Sequence, residues 1–201
     1  MSTHKVSLRR VVAPQSLPLT LHEVKVHLGI DSDDWDMLLD GFVSAAVDYL
    51  DGRAGYLYRC LMAQTWVAEL NEFPACTSGR VVLPLGPVSA VASIEYVATD
   101  GTAQTLAAEN FDFVPVDGLD YAYVVPAFGE HWPLSRCAPR AVRVTHTCGY
   151  GSAAEVPAAI RAAILIMVGI MWRDRGDGDP RGWQENPTAL SLLSKYRMVS
   201  I

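Results

Sequence analysis

The sequence predicts an α+β fold: a small helical bundle with an antiparallel β subdomain inserted into it. Three observations lead there. Apolar residues recur at helical spacing over residues 20–50 and again over residues 157–173. Between them runs a series of short β-rich segments, divided by Gly, Pro and Asp-Gly turns. No helical stretch alternates with those strands, which favours antiparallel pairing over a βαβ array.

Taken in order, residues 1–17 read as a flexible, polar and basic arm. Thr20-Leu21-His22-Glu23 is a capping box, with the Thr hydroxyl and the Glu carboxylate each taking a free backbone N–H. The helix it opens runs to about Leu28, and Gly29 is placed to end it. Asp31-Ser32-Asp33-Asp34 makes a turn and offers an N-cap to a second helix. In that helix Trp35, Leu38, Leu39, Phe42, Val43, Ala46, Tyr49 and Leu50 form an apolar face. Asp36, Asp40, Ser44, Asp48 and Asp51 fall together opposite it. Like charges four residues apart weaken an isolated helix by a few tenths of a kcal/mol per pair. The acidic face therefore needs water, a basic neighbour, or a use for negative charge.

Strands are expected over residues 60–70, 81–83, 88–98, 102–106, 111–116, 121–125 and 141–148. Asp100-Gly101 and Asp117-Gly118 suit the turns of hairpins. After Gly149-Tyr150-Gly151 the chain returns to helix, with Pro157 at its first position. Residues 160–172 are apolar almost all round, broken by Arg161 and Gly169, so this helix must be covered on most sides. Residues 176–185 form a Gly/Asp/Pro linker. Asn186-Pro187 then caps and starts a last helix in which Leu192, Leu193 and Tyr196 share a face. A helix of about ten residues is marginal in water, so this one must dock on its own domain or on a partner. The organisation expected is an arm at 1–17, a helical core from 18–59 and 153–175, an inserted β subdomain at 60–152, and a linker with a docking helix at 176–201.

Composition excludes several functions. The formal charge is −6, from 16 basic and 22 acidic side chains, which argues against broad non-specific DNA binding. Cys60, Cys76, Cys137 and Cys148 show no CxxC spacing, and no His lies at finger spacing from them, so no zinc site is expected. The longest apolar run, residues 162–172, is shorter than the roughly 20 residues a bilayer needs. No secretory signal is read at the start of the chain, and a cytosolic setting is expected.

Candidate catalytic motifs give way to structural readings. Gly149-Tyr150-Gly151-Ser152-Ala153-Ala154 matches GxGxxA, but no second parallel strand follows to make a dinucleotide site. His4, His22, His27, His131 and His146 form no i, i+4 pair. Asp31, Asp33 and Asp34 suggest calcium, but Asp36 and Phe42 stand where that loop needs Gly and Glu. No nucleophile elbow or phosphate loop is present. The reading is therefore non-enzymatic, with no catalytic residue, cofactor or metal.

A succession of short motifs carries a family resemblance. Pro18-Leu19-Thr20-Leu21-His22-Glu23-Val24-Lys25 opens the first helix, and Ala45-Ala46 lies in the second. Gln64-Thr65-Trp66, Leu83-Pro84-Leu85-Gly86-Pro87-Val88 and Trp132-Pro133 follow. Gly149-Tyr150-Gly151, Val156-Pro157 and Ile160-Arg161 lead into the apolar helix, and Tyr196-Arg197 lies near the end. This order resembles the head–tail connector, or adaptor, proteins of long-tailed phages and of phage-derived gene transfer agents. The resemblance implies a structural ring, usually dodecameric, beneath a portal protein, with a stopper or other neck or tail protein on the opposite side. DNA would pass through the channel without specific binding. Assembly would take place in the host cytoplasm, with the neck of the particle as the destination. The resemblance assigns portal docking to Leu192, Leu193, Lys195, Tyr196, Arg197 and Met198. In a ring, Asp36, Asp40, Asp48 and Asp51 would face the channel or an adjoining subunit; in a single chain their face is simply solvated. The competing readings are a stopper or tail-completion protein, and a small hydrolase or ligand-binding domain built on the strands.

Overall fold

A computed structural model of the chain describes residues 6–74, 79–116, 121–175 and 182–198. It is α+β, with two antiparallel sheets and four α-helices among the described residues. The chain divides into two compact units. One combines residues 1–13 with 63–149; the other combines residues 14–62 with 150–201.

The β unit holds β1 (Ser7–Val12), β2 (Gln64–Leu70), β3 (Val81–Leu83), β4 (Val88–Val97), β5 (Ala103–Leu106), β6 (Phe111–Pro115), β7 (Ala122–Pro126) and β8 (Val142–Cys148). The five-stranded sheet runs β1-β2-β8-β4-β5, and the three-stranded sheet β3-β7-β6. All pairings are antiparallel. The period-2 rule places Val142, Val144, His146 and Cys148 of β8 on one buried face. β2, flanked by β1 and β8, is buried at six of its seven positions.

Residues 7–12 correct the expectation of a flexible arm. They form β1, paired with β2 from Ser7↔Glu69 to Val12↔Thr65. Leu8 alone of its residues is buried, so the strand has no apolar alternation to reveal it. Its hold is partly ionic. The buried carboxylate of Glu69 meets Arg9 at 3.7 Å and Arg140 at 3.1 Å, while the Arg10 guanidinium lies 5.9 Å from the Trp66 ring centroid. The turn expected at Asp117-Gly118 lies outside the described residues.

The helical unit holds α1 (Leu21–Leu28), α2 (Asp36–Leu50), α3 (Ala158–Asp174) and α4 (Pro187–Leu193). Thr20 and Glu23 make the reciprocal capping box, and Gly29 ends α1 in the left-handed region at φ 67°. The N-cap of α2 is Trp35, with no side-chain cap, rather than one of the preceding acids. Those acids are otherwise engaged: Asp33 and Asp36 share the Lys25 ammonium, and Asp34 accepts from Ser32. Pro157 sits one place earlier than expected, as the N-cap of α3. The core joins Val24, Leu39, Val43, Ala46, Leu50, Ile160, Ile164, Met167 and Leu193, so all four helices contribute to it.

His146 is fully buried on β8, and its Nε2 has no hydrogen-bond partner among the described residues. Burial pushes its pKa below the ordinary 6.5, opposed in part by Nδ1 facing the Val144 carbonyl oxygen. The unfolded chain therefore takes up this proton more readily than the folded one. The contribution of His146 to stability is full above pH 6.5 and is lost as pH falls below it. Unfolding followed by the β-sheet circular dichroism signal should show a slope of up to about 1.4 kcal/mol per pH unit from this group below that pH. His146→Leu should flatten the slope; an unchanged slope would assign the acid sensitivity elsewhere.

Candidate docking surface

The last described segment is built to fold back on its own unit. Asn186 accepts from the N–H groups of Thr188 and Ala189, and Pro187 occupies the first turn. Four residues apart, Ala189 and Leu193 enter the core together, and α4 packs on α3. A 3-10 turn over Ser194–Tyr196 follows, and the Met198 N–H donates to the Leu57 carbonyl at 2.9 Å.

Aromatic rings and cations fasten this end of the chain. The guanidinium of Arg59, only 1% exposed, donates from Nη1 to the Tyr150 hydroxyl at 2.7 Å and lies 5.4 Å from the Tyr196 ring centroid. Arg197 lies 4.7 Å from the Tyr56 centroid. Tyr56 stacks on Tyr49 at 5.8 Å, and Trp183 meets Tyr49 edge-on at 5.4 Å. Burial, then Tyr56, raises the Tyr49 phenol above its ordinary pKa. The sequence reading missed Arg59, Tyr49, Tyr56 and Trp183. A signal was available: Tyr49, Tyr56 and Tyr58 cluster around two arginines, and Tyr196-Arg197 repeats that chemistry at the other end.

This geometry sorts the residues expected to dock. Leu193 is removed from any partner surface, because its side chain is fully buried in its own core. Leu192 and Tyr196 pack partly against that core. Lys195 and Arg197 are exposed, and Met198 is half-buried. The accessible character of the segment is cationic.

The acidic face of α2 is sorted in the same way. Asp36 is paired with Lys25 at 2.9 Å. Asp51 lies beyond the helix and accepts from the Leu61 N–H at 2.7 Å, holding the loop that leads to Arg59. Gly55 in that loop has no room for a Cβ, which would collide with the Asp51 carbonyl oxygen. Asp40 and Asp48 stay exposed, with no ion pair to a described residue. The exposed side of α2 is also less purely anionic than the sequence implied. Met37 is 90% exposed beside Asp36, and Gly41 opens onto empty space.

A concavity lined by Leu21, Lys25, Ile30, Asp33 and Asp36 lies at the foot of α1. Its charges are closed on one another: Asp33 and then Asp36 raise the Lys25 pKa, and Lys25 lowers that of Asp33. Among the described residues no three His, Cys, Asp or Glu side chains are grouped to hold a metal ion.

Comparison with known proteins bears on this arrangement of helices and strands. Residues 18–94 match the model of the phage gp6-like head–tail connector protein family. Over those residues the chain is similar to the phage head–tail connector proteins. That match spans less than half of the chain. The fold likeness extends over nearly all of it. A chain of the neck of an empty gene transfer agent (GTA) particle, computed with C6 symmetry, matches with TM-score 0.71 and 21% identity over 97% of each chain. A chain of the virion of a native GTA particle matches with TM-score 0.71 and 23% identity over 96% of each. A third, from the neck of a native GTA particle computed with C12 symmetry, gives TM-score 0.67 and 22% identity over 97% of each. No curated protein matches.

The docking of α4 on its own core has a measurable consequence. Leu193→Ala should cost about 2–5 kcal/mol in denaturant unfolding, as for a fully buried leucine. Lys195→Ala should change it by about 0.5 kcal/mol or less. Equal effects would mean that α4 is not part of the core.

Proposed function

We propose that this chain is a structural connector subunit: copies form a ring beneath the portal protein and join the DNA-filled head to the tail. The observation that carries the reading is the connector-family match at residues 18–94, in a fold shared along nearly its whole length with GTA neck chains. The C6 and C12 symmetries of those necks favour a ring, with a dodecamer as the number of copies. A ring of this kind leaves a channel through which DNA passes without base-specific contact. The role is structural rather than enzymatic, and the protein acts in the particle neck after assembly in the host cytoplasm.

The partners follow from the exposed chemistry. The carboxyl-terminal segment meets the portal through Lys195 and Arg197, with Leu192, Tyr196 and Met198 at the margin of the contact. Leu193 holds the segment in place from behind. The opposite side of the ring receives a stopper or other neck or tail protein. Asp40 and Asp48 are the acids left to face the channel or an adjoining subunit. On a channel wall they would repel the phosphate backbone and ease its passage.

Deleting the gene should leave DNA-filled heads without tails, and averaged images of complemented particles should show this chain as a ring between portal and tail. Normal tailed particles without the chain would overturn the connector reading. Lys195→Glu combined with Arg197→Glu should lower portal binding at least about tenfold, equivalent to about 1.4 kcal/mol, while losing no more than about 1 kcal/mol of stability with the Arg197–Tyr56 contact. Unchanged portal affinity would remove the docking assignment and leave the ring.

A further inference from the structure

We propose that the helical unit docks at two poles. The end built by Val26, Trp35, Met37 and Leu38 receives an apolar segment bearing Lys or Arg, supplied by the neck or tail protein that follows in the particle. This deepens the connector reading and rests on it.

Apolar exposure is concentrated at this end. Of the eight exposed large apolar side chains among the described residues, these four fall within residues 26–38. Clustered apolar exposure marks contact sites, whereas scattered exposure is ordinary. Trp and Met are enriched at the centres of such contacts. Trp35 is already fixed in place: it meets Trp172 of α3 edge-on at 5.4 Å. The Arg175 guanidinium lies 4.2 Å from the Trp172 ring centroid and 5.5 Å from that of Trp35. A ring held before binding loses little freedom on binding. Val26 lines the concavity at the foot of α1 together with Leu21 and Ile30, a recess for an incoming apolar side chain. Asp36 belongs to the same wall, and Met37 follows it, 90% exposed.

Charge sets the chemistry of the partner. Glu23 is paired with Arg161, and Asp174 with Arg173. Of the remaining charges, Asp31, Asp33, Asp34 and Asp36 stand against Lys25 and Arg175. The surface is therefore apolar with a net negative rim, which favours Lys or Arg beside the apolar anchors of its partner. Two copies joined through this surface would set acid against acid.

Position separates this surface from the portal contact. The fifteen residues of α2 span roughly 20 Å. Trp35 is its N-cap and Met37 lies in its first turn. Tyr49 lies in its last turn and stacks on Tyr56, against which Arg197 rests. The cationic segment and the anionic apolar surface thus occupy opposite ends of one helix. Two contacts of opposite charge keep head and tail partners from exchanging places.

Photo-crosslinking in assembled particles tests this. Met37→p-benzoylphenylalanine places the probe at the most exposed of the four side chains. Illumination of purified particles should join the chain to a neck or tail protein, through a peptide that contains Lys or Arg. A product of two copies of this chain would overturn the choice of partner, and a product with the portal would overturn the two-pole arrangement. No product, with the chain present in the neck, would overturn the surface and leave the connector reading standing. Absence of the chain from the particles would overturn both. A second variant reads the contact without a probe. Met37→Lys combined with Asp31→Lys alters two exposed positions and should keep the unfolding transition. Heads should then carry the ring, while tail attachment falls at least about tenfold, as for the loss of one such contact. Unchanged tail attachment would overturn the proposal, and so would loss of the ring itself.

Discussion

The helical unit depends on one buried cation. Its sequence comes in two pieces, residues 14–62 and 150–201, separated by most of the β unit. Arg59 lies at the end of the first piece, hydrogen-bonds to Tyr150 at the start of the second, and stacks against Tyr196 near the chain's end. Beside it, the Met62↔Tyr150 bridge closes the point where the two pieces meet. A buried guanidinium is costly to desolvate, and it is tolerated where neighbouring groups compensate. Removing one partner of such a group typically costs about 3–5 kcal/mol, because the charge is left behind. Arg59 thus gives the insertion a fixed return point, and the apolar faces of α2, α3 and α4 can pack as if they were continuous in sequence. Asp51 serves the same junction, since its bond to the Leu61 N–H shapes the loop that carries Arg59.

What the sequence revealed and what it hid follow from the range of the interactions involved. The capping box at Thr20 and Glu23, the stop at Gly29 and the alternation along β8 are written within a few residues, and each was readable. β1 was not, because its stability comes from Glu69 and Trp66 some sixty residues away. The destination of α4 was equally hidden. Its apolar face is plain in the sequence, but nothing local tells Leu193 whether to enter its own core or a partner's. Arg59 decides part of that through Tyr196, a contact no spacing rule anticipates. The N-cap of α2 failed for a related reason. Lys25, from the preceding helix, takes Asp33 and Asp36 into ion pairs, and Asp34 turns to Ser32.

The acidic face shows how packing divides a sequence pattern into different tasks. Of four aspartates at near-regular spacing, Asp36 is paired to α1, Asp51 shapes a loop, and only Asp40 and Asp48 remain available to the outside. A single chain keeps two exposed charges there, of little consequence to its stability. In the proposed ring, rotational repetition would multiply them into a belt, and a belt produces a field that one copy does not. The same arithmetic would apply there to the cationic end of the chain, where Lys195 and Arg197 would recur once per copy.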